Sequence, residues 1–532
     1  MTPSLNALDR AISWLSPGAA LRRMQARQAL AYYEAAKPNR QRRQRQAPGT
    51  GNTAVRAAGS HLRQQARHLE QNDPKARGLL RILTNNVVGP NGIGVEPQPK
   101  RHDGAVHELF AATLSTRYER WSKRPEVTRQ MDRAECERLL WRSVVRDGEV
   151  LNRLIEGVGP QYQHATDTPL SIQLLEADHL PIAYDGVYTM PGDGTVPPAN
   201  YAIFDGIELN AWGARRAYWM YDQHPGETIT LSIAGTNLRR VPALQVQHLS
   251  LCDRIGQRRG VSIFAAILET LDDLGEYEES ERIAAKIAAM LGAAIVKGSP
   301  DTFGVPISGA PINDADDPGA APRELKFRAG MIFDDLRPGE SVQMIGNNGR
   351  PNPGMIDFRY AQLRDVCTAT GANFSAVSKL YDGSYSAQRQ GLTDSWVDYA
   401  VLSALLISWH TRPTYERLVA ADLQAGNLVL PPDLDPLTVA DALFIPPSMP
   451  WIDPLKEALA WERQEQAGHI SGPDVIRRRG LNPAAVRNAE IAWRESWRAK
   501  GERITADPAA SDPAAFAAAL ALDQSPDGNP TP

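Results

Sequence analysis

Apolar and polar positions follow two different periods along this chain, and the places where the period changes divide it. His61 to Leu83 has helical spacing, with Leu79, Leu80, Ile82 and Leu83 apolar and a break where Asn72, Asp73 and Pro74 fall together. Asn85 to Gly94 is rich in Gly, Asn and Pro and predicts a reversal of direction. Residues 107–145 return to helical spacing, carrying Trp121 and the amphipathic run Cys136 to Val145. From Glu149 to about Leu249 short apolar runs take over, punctuated by Asp, Gly and Pro: Leu151–Ile155, Leu170–Leu175, Arg216–Tyr221, Thr228–Ile233 and Ala243–His248. That succession predicts an α+β fold with antiparallel strands.

Ser262 to Val296 reads as the longest helix, with a break expected at Gly275. In its second half Ile283, Ile287, Met290 and Ala294 share one side, while Ala285, Ala288, Ala289 and Gly292 make the other side small rather than charged. A helix apolar on one side and small on the other is suited to packing on both, as between copies of itself. Residues 298–354 lose helical spacing, and strands are expected at Lys326–Phe333 and Ser341–Ile345 around the turn Arg337 to Glu340. Met355 to Thr370 is again helical, with Ile356, Tyr360, Leu363 and Cys367 in one stripe. A polar and aromatic loop is expected from Asn373 to Gln390, then an apolar helix from Leu392 to Arg412 that Pro413 must stop or kink. A Pro-rich linker begins at Pro431. Helices follow, capped at Asp453–Pro454 and between Ser471 and Gly480, and an Ala/Pro/Asp tail beyond Ile504 is expected to be disordered.

With 532 residues, 42% hydrophobic and 23% charged, the chain has the composition of a multidomain globular protein. Its three cysteines show no metal-ligand spacing and read as reduced structural thiols. Asp9 and Arg10 interrupt the apolar run a signal peptide would need, and Lys286 lies in one of the longest apolar stretches, so neither export by that route nor a membrane helix is expected. Charge is unevenly placed. Residues 1–80 hold 14 Lys/Arg against 4 Asp/Glu, and the rest hold 44 against 58. The basic arm suits phosphate backbones or acidic surfaces, and equally a solvated tail.

Catalytic chemistry is sparse. Glu176, Asp178 and His179 stand close enough to suggest a metal, but no second carboxylate or histidine cluster recurs at ligand spacing, and acids beside strands are ordinarily surface residues. The glycine-rich turn at 85–94 lacks the G-x-x-x-x-G-K-[ST] cradle and places Pro90 where an amide is needed. H-E-x-x-H, nucleophile motifs and paired zinc ligands are missing from the sequence too. The expectation is a protein without enzymatic activity, cofactor or metal; a DNA-processing subunit (nuclease or motor) or a ring adaptor that conducts no DNA stays open as an alternative.

Several phrases in order along the chain resemble the lambda-type phage portal proteins. They are Asn72-Asp73-Pro74 with Ala76-Arg77, Asn86 to Gly89, Arg146-Asp147-Gly148-Glu149, Leu175-Glu176-Ala177-Asp178, Gly206 to Asn210, Gly256-Gln257 with Arg259-Gly260-Val261-Ser262, Leu336 with Pro338-Gly339-Glu340, Ser384 to Ala387 with Arg389, and Trp451 to Ala458. One departure is Tyr381-Asp382-Gly383, where an Asn is expected ahead of the Tyr-Ser motif. The resemblance implies the portal-protein fold: a flexible arm (1–50), an α+β wing (51–275), a stem helix (276–297), a β-containing clip (298–354), a second stem helix (355–371), a tunnel loop (372–390), a kinked helix returning to the wing (391–432), a helical crown (433–504) and a tail (505–532).

It further implies a ring, usually of twelve copies, at one capsid vertex of a virion, made in the cytoplasm of a bacterial host. The partners it implies are double-stranded DNA held without regard to sequence, the terminase large subunit, major capsid and scaffold proteins, and head-completion or tail connector proteins, with no membrane. Lys379, Tyr381, Asp382, Tyr385 and Arg389 become the channel-loop residues, the Arg389 guanidinium being free for phosphate or paired with Asp394. Ile283, Ile287, Ala289, Met290 and Gly292 become the stem packing surface. The acids Asp272, Asp273, Glu276, Glu278, Glu279 and Glu281 either keep a channel from gripping DNA or simply face solvent.

Overall fold

A computed structural model describes residues 49–159, 162–190, 199–227, 238–290, 294–297, 340–343, 353–450 and 453–500. The expected basic arm, the strands at 228–233 and 326–333, the turn from Arg337 to Gly339 and the tail beyond Ile504 lie outside the described residues, as does Gly292.

Helix α1 (Gly51–Asn72) starts where the Thr50 side chain accepts from the Thr53 amide, and ends where Asp73 leaves helical geometry. The same Asp73 caps α2 (Pro74–Val87) through the amides of Lys75 and Ala76, with Pro74 in the first turn. Strand β1 (Gly94–Pro97) follows the turn. Residues 107–145, expected to be helical, form two helices, α3 (Glu108–Ser122) and α4 (Arg133–Asp147). Pro125 disfavours helical geometry at Arg124, and Asp132 with Glu135 forms a complete capping box that restarts the helix.

Two antiparallel sheets follow. Strands β2 (Glu149–Glu156), β3 (Leu170–Glu176) and β9 (Val246–Ser250) pair in the order β3-β2-β9, with Leu151 opposite Leu175 and His248. Strands β4 (Gly186–Met190), β5 (Ala199–Phe204), β6 (Ile207–Leu209), β7 (Arg215–Tyr221) and β8 (Leu238–Pro242) form a five-stranded meander. Ala243–Gln245, expected as strand, is a single 3₁₀ turn after Pro242.

Helix α5 (Leu268–Met290) passes through Gly275 without a break; a Cβ there would meet nothing within 4 Å. It stops short of the expected end: Ala294–Lys297 is strand β10, paired with β11 (Glu340–Gln343). The β-branched Ile295 and Val296 favour that change. Helix α6 (Pro353–Thr370) runs alongside α5, with Phe358 edge-on to Tyr277 at 4.9 Å and Arg359 paired with Glu278 at 3.1 Å.

A short helix α7 (Phe374–Ser378) leads to α8 (Tyr385–Leu406). The helix then widens into one π turn, Ile407–Thr411, before α9 (Arg412–Gln424), with Pro413 in the first turn of α9. Proline cannot supply the amide of a regular turn, and the wider turn absorbs the lost bond. Strand β12 (Ala442–Ile445) returns to pair with β1. Helices α10 (Pro454–Gln466), α11 (Gly472–Arg478) and α12 (Pro483–Ala499) close the chain; Asp453 caps the first and Ser471 the second.

The main core lies between α1, α2, α4 and α8, built on Leu79, Leu80, Leu83, Trp141, Val144, Tyr399 and Leu406. A second core joins α3, β2, β3 and α9 through Trp121, Leu154, Tyr415 and Leu418. Leu363, Val366 and Cys367 of α6 are buried, whereas Ile356 near its start is exposed. All three cysteines are unpaired thiols; burial pushes Cys136 up to about 12 and Cys367 up to about 11.

Candidate functional site

Two of the sequence phrases that carry the portal resemblance, Arg146 to Glu149 and Gly256 to Ser262, meet at one buried carboxylate. Glu149 heads β2 and is 1% exposed. It accepts from Arg259 Nη2 at 2.6 Å, Arg63 Nη2 at 3.0 Å, His248 Nε2 at 3.0 Å and the Gly260 amide at 2.9 Å. Arg259 also donates to the carbonyls of Asp205 and Leu180. Burial alone would raise the Glu149 carboxyl, but Arg259 and then His248 outweigh it and hold the group well below the ordinary carboxylate range. His248 Nδ1 receives a hydrogen bond from Arg215, which fixes the proton on Nε2; burial holds this imidazole neutral, down to about 4.

Two glycines let the segments approach. A Cβ on Gly148 would stand 2.3 Å from the Val261 carbonyl carbon, and one on Gly260 would stand 2.0 Å from the Gly148 oxygen. Gly148 also has φ 87, the left-handed turn that ends α4. Around this centre Arg67 grips Asp147 and Asp178, Arg146 grips Asp147 and Glu70, and Arg63 reaches Asp178 at 2.9 Å. Sequence reading missed Arg63, Arg67 and His248. The available signal was Arg63 and Arg67 four residues apart, on the α1 face that also buries Val55, Ala66 and Leu69.

The structure assembles the acids near Glu176 differently from the grouping Glu176, Asp178 and His179 seen in the sequence. His179 turns away and its Nδ1 bonds the Tyr221 carbonyl. His224 takes its place, with Nε2 3.4 Å from Glu176 and 3.8 Å from Asp178. Arg67 lies 3.1 Å from Glu176 and 2.6 Å from Asp178, and its guanidinium supplies positive charge to both carboxylates.

Four of the five expected stem residues lie on α5. Ile283 is 49% exposed on α5, and Ile287, Ala289 and Met290 lie on the last turns of the same helix. Among the six acids, Glu278 is not a free solvent group: it pairs with Lys75 at 2.9 Å and with Arg359. Further large apolar side chains stand exposed on the neighbouring helices: Ile356 and Phe358 on α6, Val397 and Val401 on α8.

The expected loop 372–390 is mostly helical, because Asn373 caps α7 and Ser384 caps α8 through the Ala376 and Ala387 amides. The irregular part runs from Lys379 to Ser384. Lys379 ends α7 in left-handed geometry, φ 59, and is exposed with Tyr381, Asp382 and Tyr385. Tyr385 opens α8 and Arg389 lies within it. Arg389 faces Glu457 of α10 at 3.8 Å, while Asp394 accepts from Gln390 instead. Among the described residues no helix is long and apolar enough to cross a membrane.

Residues 37–402 match the family model described as phage portal protein, lambda family. A probable portal protein of Halomonas phage phiHAP-1 is 26% identical over 431 residues, covering 80% of this chain and 78% of the relative. Among solved structures, the neck of a native gene transfer agent particle computed with C12 symmetry has 13% identity and a TM-score of 0.43, covering 81% of this chain and 99% of that one. The virion of a native gene transfer agent particle gives 14% identity and a TM-score of 0.40, covering 82% and 94%.

Proposed function

The chain belongs to the lambda family of phage portal proteins, and on that footing we propose that its copies close into a ring at one capsid vertex, through which double-stranded DNA is packaged and later ejected. The observation that carries the ring is apolar surface left outside the fold. Ile283, Ile356, Phe358, Val397 and Val401 are exposed on three helices, on a chain that already has its own cores. In this reading α5 and α6 are the stem, β10 and β11 begin and end the clip, and α10 to α12 form the crown.

The stretch from Lys379 to Ser384 with Tyr385 faces the bore. Lys379 contacts phosphates singly, without reading bases, and Tyr381 and Tyr385 narrow the passage. Arg389 instead positions the start of α8 against α10. Terminase docks on this ring and hydrolyses the ATP; the portal itself is no enzyme. The remaining partners are capsid, scaffold and head-completion proteins, and the protein resides at the portal vertex of the virion after synthesis in the bacterial cytoplasm.

Proheads assembled with and without this chain test the reading in a packaging reaction supplied with terminase and ATP. Nuclease-protected, full-length DNA is expected only in particles that contain it. Equal protection in particles lacking it would overturn the proposal.

A further inference from the structure

Helix α12 leaves its apolar stripe uncovered. Ala485, Ala489, Trp493 and Trp497 follow one another four residues apart and so share one face. Ala485 and Ala489 are exposed, and Trp493, edge-on to Trp497 at 5.9 Å, is 51% exposed. Among the described residues of this helix Pro483, at its start, is the buried one, and α10 and α11 have none. A strongly amphipathic helix with an open tryptophan face has apolar area to bury, and covering it is favourable.

We infer that residues 513–522 of the same chain are that cover, with Phe516 and Leu520 seated against Trp493 and Trp497. Three observations select this occupant. Twelve residues separate the segment from Lys500, a linker reaching up to about 40 Å, whereas α12 is about 25 Å long, so any point of the stripe is within reach. Beyond residue 500 the large apolar residues are Ile504, Phe516, Leu520 and Leu522, and Phe516 and Leu520 have the i, i+4 spacing of the stripe itself. Charge is complementary: residues 471–500 hold seven Lys/Arg against three Asp/Glu, and residues 501–532 hold one against five. The inference is independent of the DNA channel.

Hydrogen exchange read by mass spectrometry on the full chain tests it, against a chain ending at Ile504 and against full-length Phe516→Asp. Amides of 486–499 are expected to be protected in the parent and to exchange about tenfold faster in both variants. Unchanged exchange in the two variants would mean that another surface, such as a second copy of α12, covers the stripe, and would overturn the inference. Fast exchange of this helix in the parent would overturn it equally.

Discussion

Replacing Glu149 with Gln keeps the shape of the side chain and removes its charge. Arg259 and Arg63, both buried, then lose their shared counterion, and the Gln amide turns a donor toward groups that are themselves donors: two guanidiniums, the His248 Nε2–H and the Gly260 amide. Breaking one partner of a buried ion pair costs about 3–5 kcal/mol, a large part of the roughly 5–15 kcal/mol that holds a domain folded. Asp178 still accompanies Arg63, so the lower part of that range is expected. Urea unfolding followed by far-UV circular dichroism measures the loss, with exposed Glu119→Gln as control, expected within about 0.5 kcal/mol of the parent. Urea is preferred because guanidinium salt would screen the charges under test. Because the folded-state Glu149 carboxyl is held low, its contribution is complete above its ordinary value of 4.5 and fades as pH falls toward its depressed folded value. A loss below about 1 kcal/mol at neutral pH would refute the claim that this carboxylate holds the segments around it together.

Other outcomes follow from single groups. His410 is buried at the π turn and its imidazole is pushed down from 6.5 to about 4, chiefly by burial. The unfolded chain therefore takes up the proton first, and stability falls as pH drops from about 6.5 to 4, by about 3 kcal/mol; His410→Gln should flatten that slope in pH-dependent thermal melts. Ile283→Asp changes an exposed side chain, so the subunit should melt as the parent does while ring assembly, read by native mass spectrometry, fails; unaltered assembly would remove Ile283 from the interface. Lys379 occupies left-handed geometry, so Lys379→Gly should leave the fold intact or about 1 kcal/mol more stable while altering packaging of full-length DNA. Parental packaging by Lys379→Gly particles would remove this cation from the channel.

Local signals are legible in the sequence: Asn72 to Pro74 marks the break between α1 and α2, and Asp453 and Ser471 cap where their side chains bond nearby amides, a chemistry contained within a few residues. Pro413 disturbs its helix as its missing amide requires, although the form taken, a π turn, depends on what packs around it. Non-local pairing was not readable. Val95 sits opposite Phe444 across the whole fold, and nothing in either segment names the other. The phrases ending at Glu149 and beginning at Gly256 were visible as words, but that Gly148 and Gly260 press backbone against backbone is a property of the folded chain. Arg389 shows the same limit: Asp394 is near in sequence, whereas Glu457 reaches it from another helix.

The central claim is that this chain forms a ring with a passage through it. Electron-microscope images of the purified protein, with its mass measured in the same buffer, decide the matter most directly. The account predicts closed rings with an axial opening and wings projecting outward, and a mass that is a whole multiple of 58.3 kDa. Compact particles at the mass of one subunit, persisting as concentration is raised, would contradict it.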